Sequence, residues 1–190
     1  MNNGNLWWLW EGAIPPEECD KFINTFYVEK DSIDATVGTE GLHPNPEYGY
    51  WRKTRICWDK DKNSTLYNTM YSFVLQANVE AGWRLALQGM EHIQLAKYEN
   101  SGFYDFHMDT YYGNVNPWGN QRKLSAVLLL SDPSTYVGGD FVFFAGKEVV
   151  MPRTRGTVIT FPGTMLHKVT PVTEGVRFSA TAWADGPPLR

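Results

Sequence analysis

The chain is 190 residues long, 43% apolar and 20% charged, a composition that belongs to a soluble globular protein long enough to bury a core. No stretch approaches the roughly 20 uncharged apolar residues of a membrane-spanning helix. The net charge of −4 argues against the basic footprint of a nucleic-acid-binding protein.

The two cysteines, Cys19 and Cys57, make no disulfide framework and share no metal-ligand spacing. Both are expected to be reduced in a cytosolic protein. Leu6 to Trp10 is apolar but lacks a basic leader and a cleavage site, so it reads as a short strand and not as a signal peptide. Trp7, Trp8 and Trp10 are expected in the core beneath the first helix. That helix opens at Pro15-Pro16, with Glu17 and Glu18 suiting the dipole of its first turn, and runs to about Tyr27. Phe22, Ile23 and Phe26 form its apolar stripe. Residues 33–37 and 52–58 read as strands around a Gly/Pro-rich loop, 38–49. Arg52, Lys53 and Arg55 alternate along the second of these, as on a solvated edge that resists aggregation; a contact with substrate near a cavity mouth is the sharper reading. Asn63 or Ser64 caps a second helix to about Ala81, with Leu66, Met70, Phe73, Val74 and Ala77 at helical spacing.

After residue 90 the pattern changes. Segments near 91–99, 103–109, 123–131, 140–145, 147–151, 156–161, 166–172 and 176–184 are rich in Val, Ile, Phe, Tyr and Thr, with turn residues between most of them. This spacing predicts a mainly β protein with flanking helices, its core a double-stranded β-helix, or jelly roll. The N-terminal part, 1–90, forms an α/β layer supporting a core of 91–184, within one domain over 1–190. The loop from Thr110 to Gln121 is long and aromatic, as loops that contact ligands often are.

Four polar residues stand out in this β-rich half. His107 and Asp109 form an H-x-D pair, His167 follows 58 residues later, and Arg177 another 10 residues on. Residues two apart in a strand share a face, so His107 and Asp109 are expected to point into the barrel together. Arg177, Ser179, Thr181 and Trp183 share one face of the last strand. Two imidazoles and a carboxylate on one face of a metal leave positions open, the pattern of non-haem Fe(II) oxygenases. A buried arginine needs an anionic partner.

The motifs around these residues resemble a known family. The run Tyr98-Glu-Asn-Ser-Gly-Phe-Tyr-Asp-Phe-His-Met-Asp109 is similar to the iron-binding strand of Fe(II)/2-oxoglutarate dioxygenases of the prolyl 4-hydroxylase type. Arg122 to Asp132, Gly138-Gly139-Asp140-Phe141, Gly156 to Phe161, His167 to Val172 and Gly175 to Trp183 continue the resemblance in the family's order, over about residues 91–184. The resemblance implies that His107, Asp109 and His167 hold Fe(II). It implies that Arg177 pairs with the distal carboxylate of 2-oxoglutarate, with Tyr98, Thr181 and Trp183 lining the co-substrate pocket. Arg122 and Tyr104 match positions that face the peptide in prolyl hydroxylases. The chain departs from the family pattern at Leu129, where a tyrosine is frequent, and at Arg177, where many collagen-type enzymes carry lysine.

The implied activity is oxidative decarboxylation of 2-oxoglutarate by O2 to succinate and CO2, coupled to hydroxylation of a peptidyl residue, proline first, with ascorbate as reductant. The implied partner is a proline-containing peptide or protein; neither a nucleic acid nor a membrane is expected. A free amino acid or small metabolite is the alternative substrate. A non-catalytic jelly-roll binding module is the alternative of another class. Nucleic-acid demethylases carry a second arginine six residues after the first, where this chain has Trp183.

Overall fold

A computed structural model describes residues 5–28, 33–35, 51–110, 113 and 115–188. The loop 38–49, His43 and the end of the strand expected at 33–37 lie outside the described residues. Among the described residues the chain enters as β1 (Trp8–Trp10) and α1 (Pro16–Val28), followed by β2 (Ile33–Asp34), β3 (Arg52–Lys53), β4 (Arg55–Asp59) and α2 (Thr65–Glu80). The β-rich half follows as β5 (Gly89–Met90), β6 (Ile93–Tyr98), β7 (Gly102–His107), β8 (Gln121–Leu129), β9 (Tyr136–Gly138), β10 (Phe141–Phe144), β11 (Glu148–Val150), β12 (Val158–Pro162), β13 (His167–Gly175) and β14 (Arg177–Gly186).

These strands form two antiparallel sheets. The larger runs β1-β12-β8-β14-β6-β4-β2, with β5 also on β14; the smaller runs β11-β10-β13-β7-β3, with β9 also on β13. Strand alternation explains the layering. On β8, Val127 and Leu129 pack with Ile159 and Phe161 of β12 against Phe141, Phe143, Val169 and Val172 of the smaller sheet. Leu124, Ala126 and Leu128 point the other way and meet the helices. Both faces of β8 are therefore covered, each large apolar side chain contributing about 1.5–3 kcal/mol on burial.

The helices close the outer face of the larger sheet. Pro16 starts α1 at the position where a missing N–H costs nothing, and Cys19 and Phe22 are buried with Ile14. Ser64 caps α2 by accepting from the Tyr67 amide at 3.0 Å. The buried residues of α2 are Leu66, Tyr67, Met70, Val74 and Ala77. Tyr67 joins this face although polar because its hydroxyl donates to the Met90 carbonyl at 3.0 Å.

Several expectations are corrected. Phe73 is only half-buried and meets Trp10 at 4.9 Å, so that tryptophan also rests on α2. Trp7 stacks on Phe143 of the inter-sheet core at 5.2 Å. The strand expected at 52–58 is broken at Thr54, and its two halves belong to different sheets. Cys19 and Cys57 are free, as expected. No helix among the described residues is long and apolar enough to cross a membrane.

Candidate active site

His107 ends β7 and His167 begins β13, and the two are direct partners across the strands. Their rings lie 4.1 Å apart between centroids. Each is oriented in the same way: Nδ1 of His107 lies 2.8 Å from the Asp105 carbonyl, and Nδ1 of His167 lies 2.8 Å from that of Met165. A carbonyl only accepts, so each Nδ1 carries hydrogen, and in the neutral ring the Nε2 lone pair faces inward. Burial first, and the neighbouring His167 second, lower the His107 pKa to about 3 against the pull of Asp109, so this ring is neutral at neutral pH.

Asp109 completes the cluster from outside the strand. The expectation that His107 and Asp109 share a strand face is corrected: β7 ends at His107, and Asp109 lies in the bend that follows. Its amide donates to the Gly163 carbonyl at 2.9 Å, and its Oδ2 accepts from the Ser125 hydroxyl at 2.6 Å. Burial opposes its ionisation, but the adjacent imidazoles and the Ser125 hydrogen bond prevail and hold the carboxyl below its usual range. Both His107 Nε2 and His167 Nε2 stand 3.7 Å from an Asp109 oxygen, beyond hydrogen-bond reach. The ligand atoms all lie within 4.8 Å of one another and do not satisfy each other. Two imidazole nitrogens and a carboxylate arranged in this way fit a divalent metal with open positions.

The cluster opens into a cavity of about 380 Å3. Arg177, at the start of β14, lines it and is only 1% exposed. Its guanidinium lies 5.2 Å from the Tyr98 ring, its Nη1 donates to Ser179 at 3.1 Å, and its Nη2 has no partner. Tyr98, Thr181 and Trp183 line the same cavity.

Residues 93–185 match the model of the 2OG-Fe(II) oxygenase superfamily. This stretch is a 2OG-Fe(II) oxygenase domain. The PKHD-type hydroxylase PiuC of Pseudomonas aeruginosa is 38% identical over 94 residues, 46% of this chain and 40% of that protein. The PKHD-type hydroxylase YbiX of Escherichia coli is 37% identical over 134 residues, covering 65% and 57%. The chain spans about half the length of these curated relatives. A Pseudomonas putida prolyl-4-hydroxylase shares the fold, with a TM-score of 0.71 at 21% identity over 95% of this chain and 93% of that one.

Two β-bulges bring further residues to the side of the domain that carries the His107–Asp109–His167 cluster. On β7 and β13 the register passes from His167↔His107 to Val169↔Tyr104, so β7 carries one extra residue. Tyr104 and His107, three apart, thereby share a face, and their rings stack at 3.4 Å. On β8 and β14 the register passes from Ala184↔Leu124 to Asp185↔Arg122. Arg122 is thus turned to the face of Ser125, where its guanidinium lies 4.1 Å from the Trp183 ring. It makes a two-pronged ion pair with Glu91, both bonds 2.7 Å. Tyr104 is neutral: burial above all pushes its pKa up to about 12.

Other residues of the oxygenase site escaped sequence reasoning. Ser125 orients Asp109, and strand parity with Val127 was the available signal; Ser179, already aligned with Arg177 in the sequence, accepts from its guanidinium. Glu91 carried no signal, since its partner is 31 residues away. The reading of Arg52 as part of a solvated edge is corrected: it is 8% exposed and lines the cavity. Lys53 and Arg55 are exposed, and Leu129 is buried between the sheets. His92 is exposed and outside the cluster.

Proposed function

We propose that this chain is an Fe(II)- and 2-oxoglutarate-dependent dioxygenase that hydroxylates a peptidyl residue, proline first, releasing succinate and CO2. The observation that carries the proposal is the meeting, in one cavity, of three metal-ligand groups within 4.8 Å of one another and a buried guanidinium with an unpartnered nitrogen. The choice of a prolyl substrate is supported by the likeness to prolyl hydroxylases in fold and motif order.

In this proposal His107, Asp109 and His167 hold Fe(II). The bound metal and 2-oxoglutarate supply oxidative decarboxylation and the oxidising power for C–H hydroxylation, with ascorbate as reductant. The chain's own residues do the positioning. Asp105 and Met165 carbonyls fix the imidazole orientations, and Ser125 fixes the carboxylate. Arg177, held by Ser179 and Tyr98, takes the distal carboxylate of the co-substrate. Thr181 and Trp183 wall the co-substrate pocket, and Tyr104 and Arg122 stand where the substrate enters. The phenylalanines around His167, including Phe161 at 4.8 Å, exclude water from the ligand side. The same proposal places the protein in the cytoplasm without nucleic-acid or membrane partners.

The test is succinate formation with proline-containing peptides, read together with peptide mass. Succinate should require Fe(II), reductant and 2-oxoglutarate together, and the peptide should gain the mass of one oxygen atom. Full turnover by His107→Ala would sink the iron assignment.

A further inference from the structure

The metal-site cavity contains a second buried guanidinium that the proposed cofactors do not use. Arg52 enters from β3, where it is the cross-strand partner of Tyr104. Its Nη2 donates to Gln94 Oε1 at 2.8 Å, and its guanidinium lies 4.4 Å from the Tyr104 ring. Its Nε has no partner, and no carboxylate among the described residues pairs with it. Glutamine and a neutral phenol solvate a cation but do not cancel its charge. A buried guanidinium without a counter-charge is costly, and removing that cost requires an anion.

Charge balance identifies where the anion must come from. With the site loaded as proposed above, the metal dication and Arg177 are cancelled by Asp109 and the two carboxylates of 2-oxoglutarate. Arg122 is cancelled by Glu91. Arg52 remains. The approach to the site has the same character. An outer cavity of about 870 Å3 adjoins the metal-site cavity through Trp58 and Arg122 and is walled by Lys60 and Lys62. Both of its acids are already engaged, Glu91 with Arg122 and Asp185 with Asn116 and Asn120.

We propose that Arg52 is a substrate-binding residue for a carboxylate, and that the molecule hydroxylated here carries one close to its reacting carbon. This rests on the dioxygenase reading above and narrows its substrate class. Two sources share this chemistry: the α-carboxylate of a free or C-terminal amino acid, and an acidic side chain beside the hydroxylated residue of a peptide.

The experiment uses the full chain loaded with Mn(II) and 2-oxoglutarate for binding, read by tryptophan fluorescence, and with Fe(II) for succinate release. One probe set is the proteinogenic amino acids and their N-acetyl forms, each as free acid and as carboxamide. The other is end-blocked proline peptides with Asp or Glu beside the proline, against their Asn and Gln counterparts. The acid members of one set should bind about tenfold or more tightly than their neutral partners, and the set that responds identifies the source. Arg52→Gln should abolish that preference, and Arg52→Lys should recover part of it. Neither should change the affinity for 2-oxoglutarate, which a merely structural role would not spare. Equal binding of acid and neutral partners, an unaltered preference in Arg52→Gln, or no acid bound in either set overturns the assignment. A weakened 2-oxoglutarate affinity in Arg52→Gln overturns it as well, by giving Arg52 to the co-substrate. Failure of the dioxygenase reading itself would look different: 2-oxoglutarate would not bind to wild-type protein loaded with Mn(II).

Discussion

His107 and His167 face each other across β7 and β13 as a cross-strand pair, each with Nδ1 2.8 Å from the carbonyl two residues before it. The symmetry of this arrangement puts Nδ1 of both rings on a carbonyl and leaves both Nε2 atoms 3.7 Å from Asp109 oxygens. Sheet pairing thus positions the two imidazoles of the proposed metal site, and Gly163 and Ser125 position Asp109 beside them.

A preformed site binds its metal in the folded state alone, so metal adds to stability. At a free Mn(II) concentration of 100 times its dissociation constant the gain is about 2.7 kcal/mol. Chemical denaturation with Mn(II), against the same protein with a chelator, should resolve this difference. His167→Ala should show none of it. Equal midpoints with and without metal in the wild type would contradict the site.

Arg177 supplies charge-assisted hydrogen bonds, each worth about 1.5–3 kcal/mol. Arg177→Met keeps the apolar stem and should weaken 2-oxoglutarate binding by about 10- to 150-fold, while Mn(II) alone binds as before. Calorimetry with the metal-loaded variant measures both. An unchanged affinity for 2-oxoglutarate would remove the arginine from the co-substrate pocket.

Gly139 holds Arg177 from the far side. Its φ is +67°, and an added Cβ would sit 2.8 Å from both Arg177 Cδ and Val172 Cγ2. Gly139→Ala should cost about 1–2 kcal/mol for the left-handed backbone alone and should displace the guanidinium. The expected result is a lower unfolding midpoint together with a higher KM for 2-oxoglutarate. A stability loss with KM unchanged would show that Val172 yields and Arg177 does not.

Ser125 steadies Asp109 through a 2.6 Å hydrogen bond. Ser125→Ala should lower metal affinity by about 10- to 100-fold, the usual effect of removing such an orienting contact. Direct Mn(II) titration checks this, and Ser125→Thr, which keeps the hydroxyl, should retain most of the affinity.

Acid should destabilise the metal-free protein. Burial above all, then the neighbouring His167, hold the folded-state pKa of His107 at about 3, whereas the unfolded chain takes up that proton near 6.5. Below that value the unfolded state binds more protons, so stability falls as pH drops from about 6.5 toward about 3. Asp109, depressed in the folded state, acts in the same direction at the acid end. Urea midpoints at about pH 7.5 and about pH 5 measure the slope, and His107→Gln should flatten it. An equal slope in the variant would place the titration elsewhere.

Much of this architecture was legible in the sequence because it depends on local periodicity. The eight β-rich segments, both helices and the Ser64 cap follow from spacing and residue type, and so does the alignment of Arg177, Ser179, Thr181 and Trp183 on one face of β14. The motif order also led to the oxygenase family.

The sequence by itself determined which groups are available: two imidazoles, a carboxylate and an arginine, in an order a jelly roll can bring together. Only the tertiary structure decided how they meet. Asp109 lies beyond its strand and is placed by Gly163 and Ser125, and two bulges turn Tyr104 and Arg122 against simple parity. Arg52 looks like a solvated edge cation in sequence, yet it is buried in the cavity because the chain breaks at Thr54 and β3 joins β7. Alternation is a property of each strand alone. Bulges, sheet partners and burial are set by pairing between distant segments, whose free energy no single segment contains.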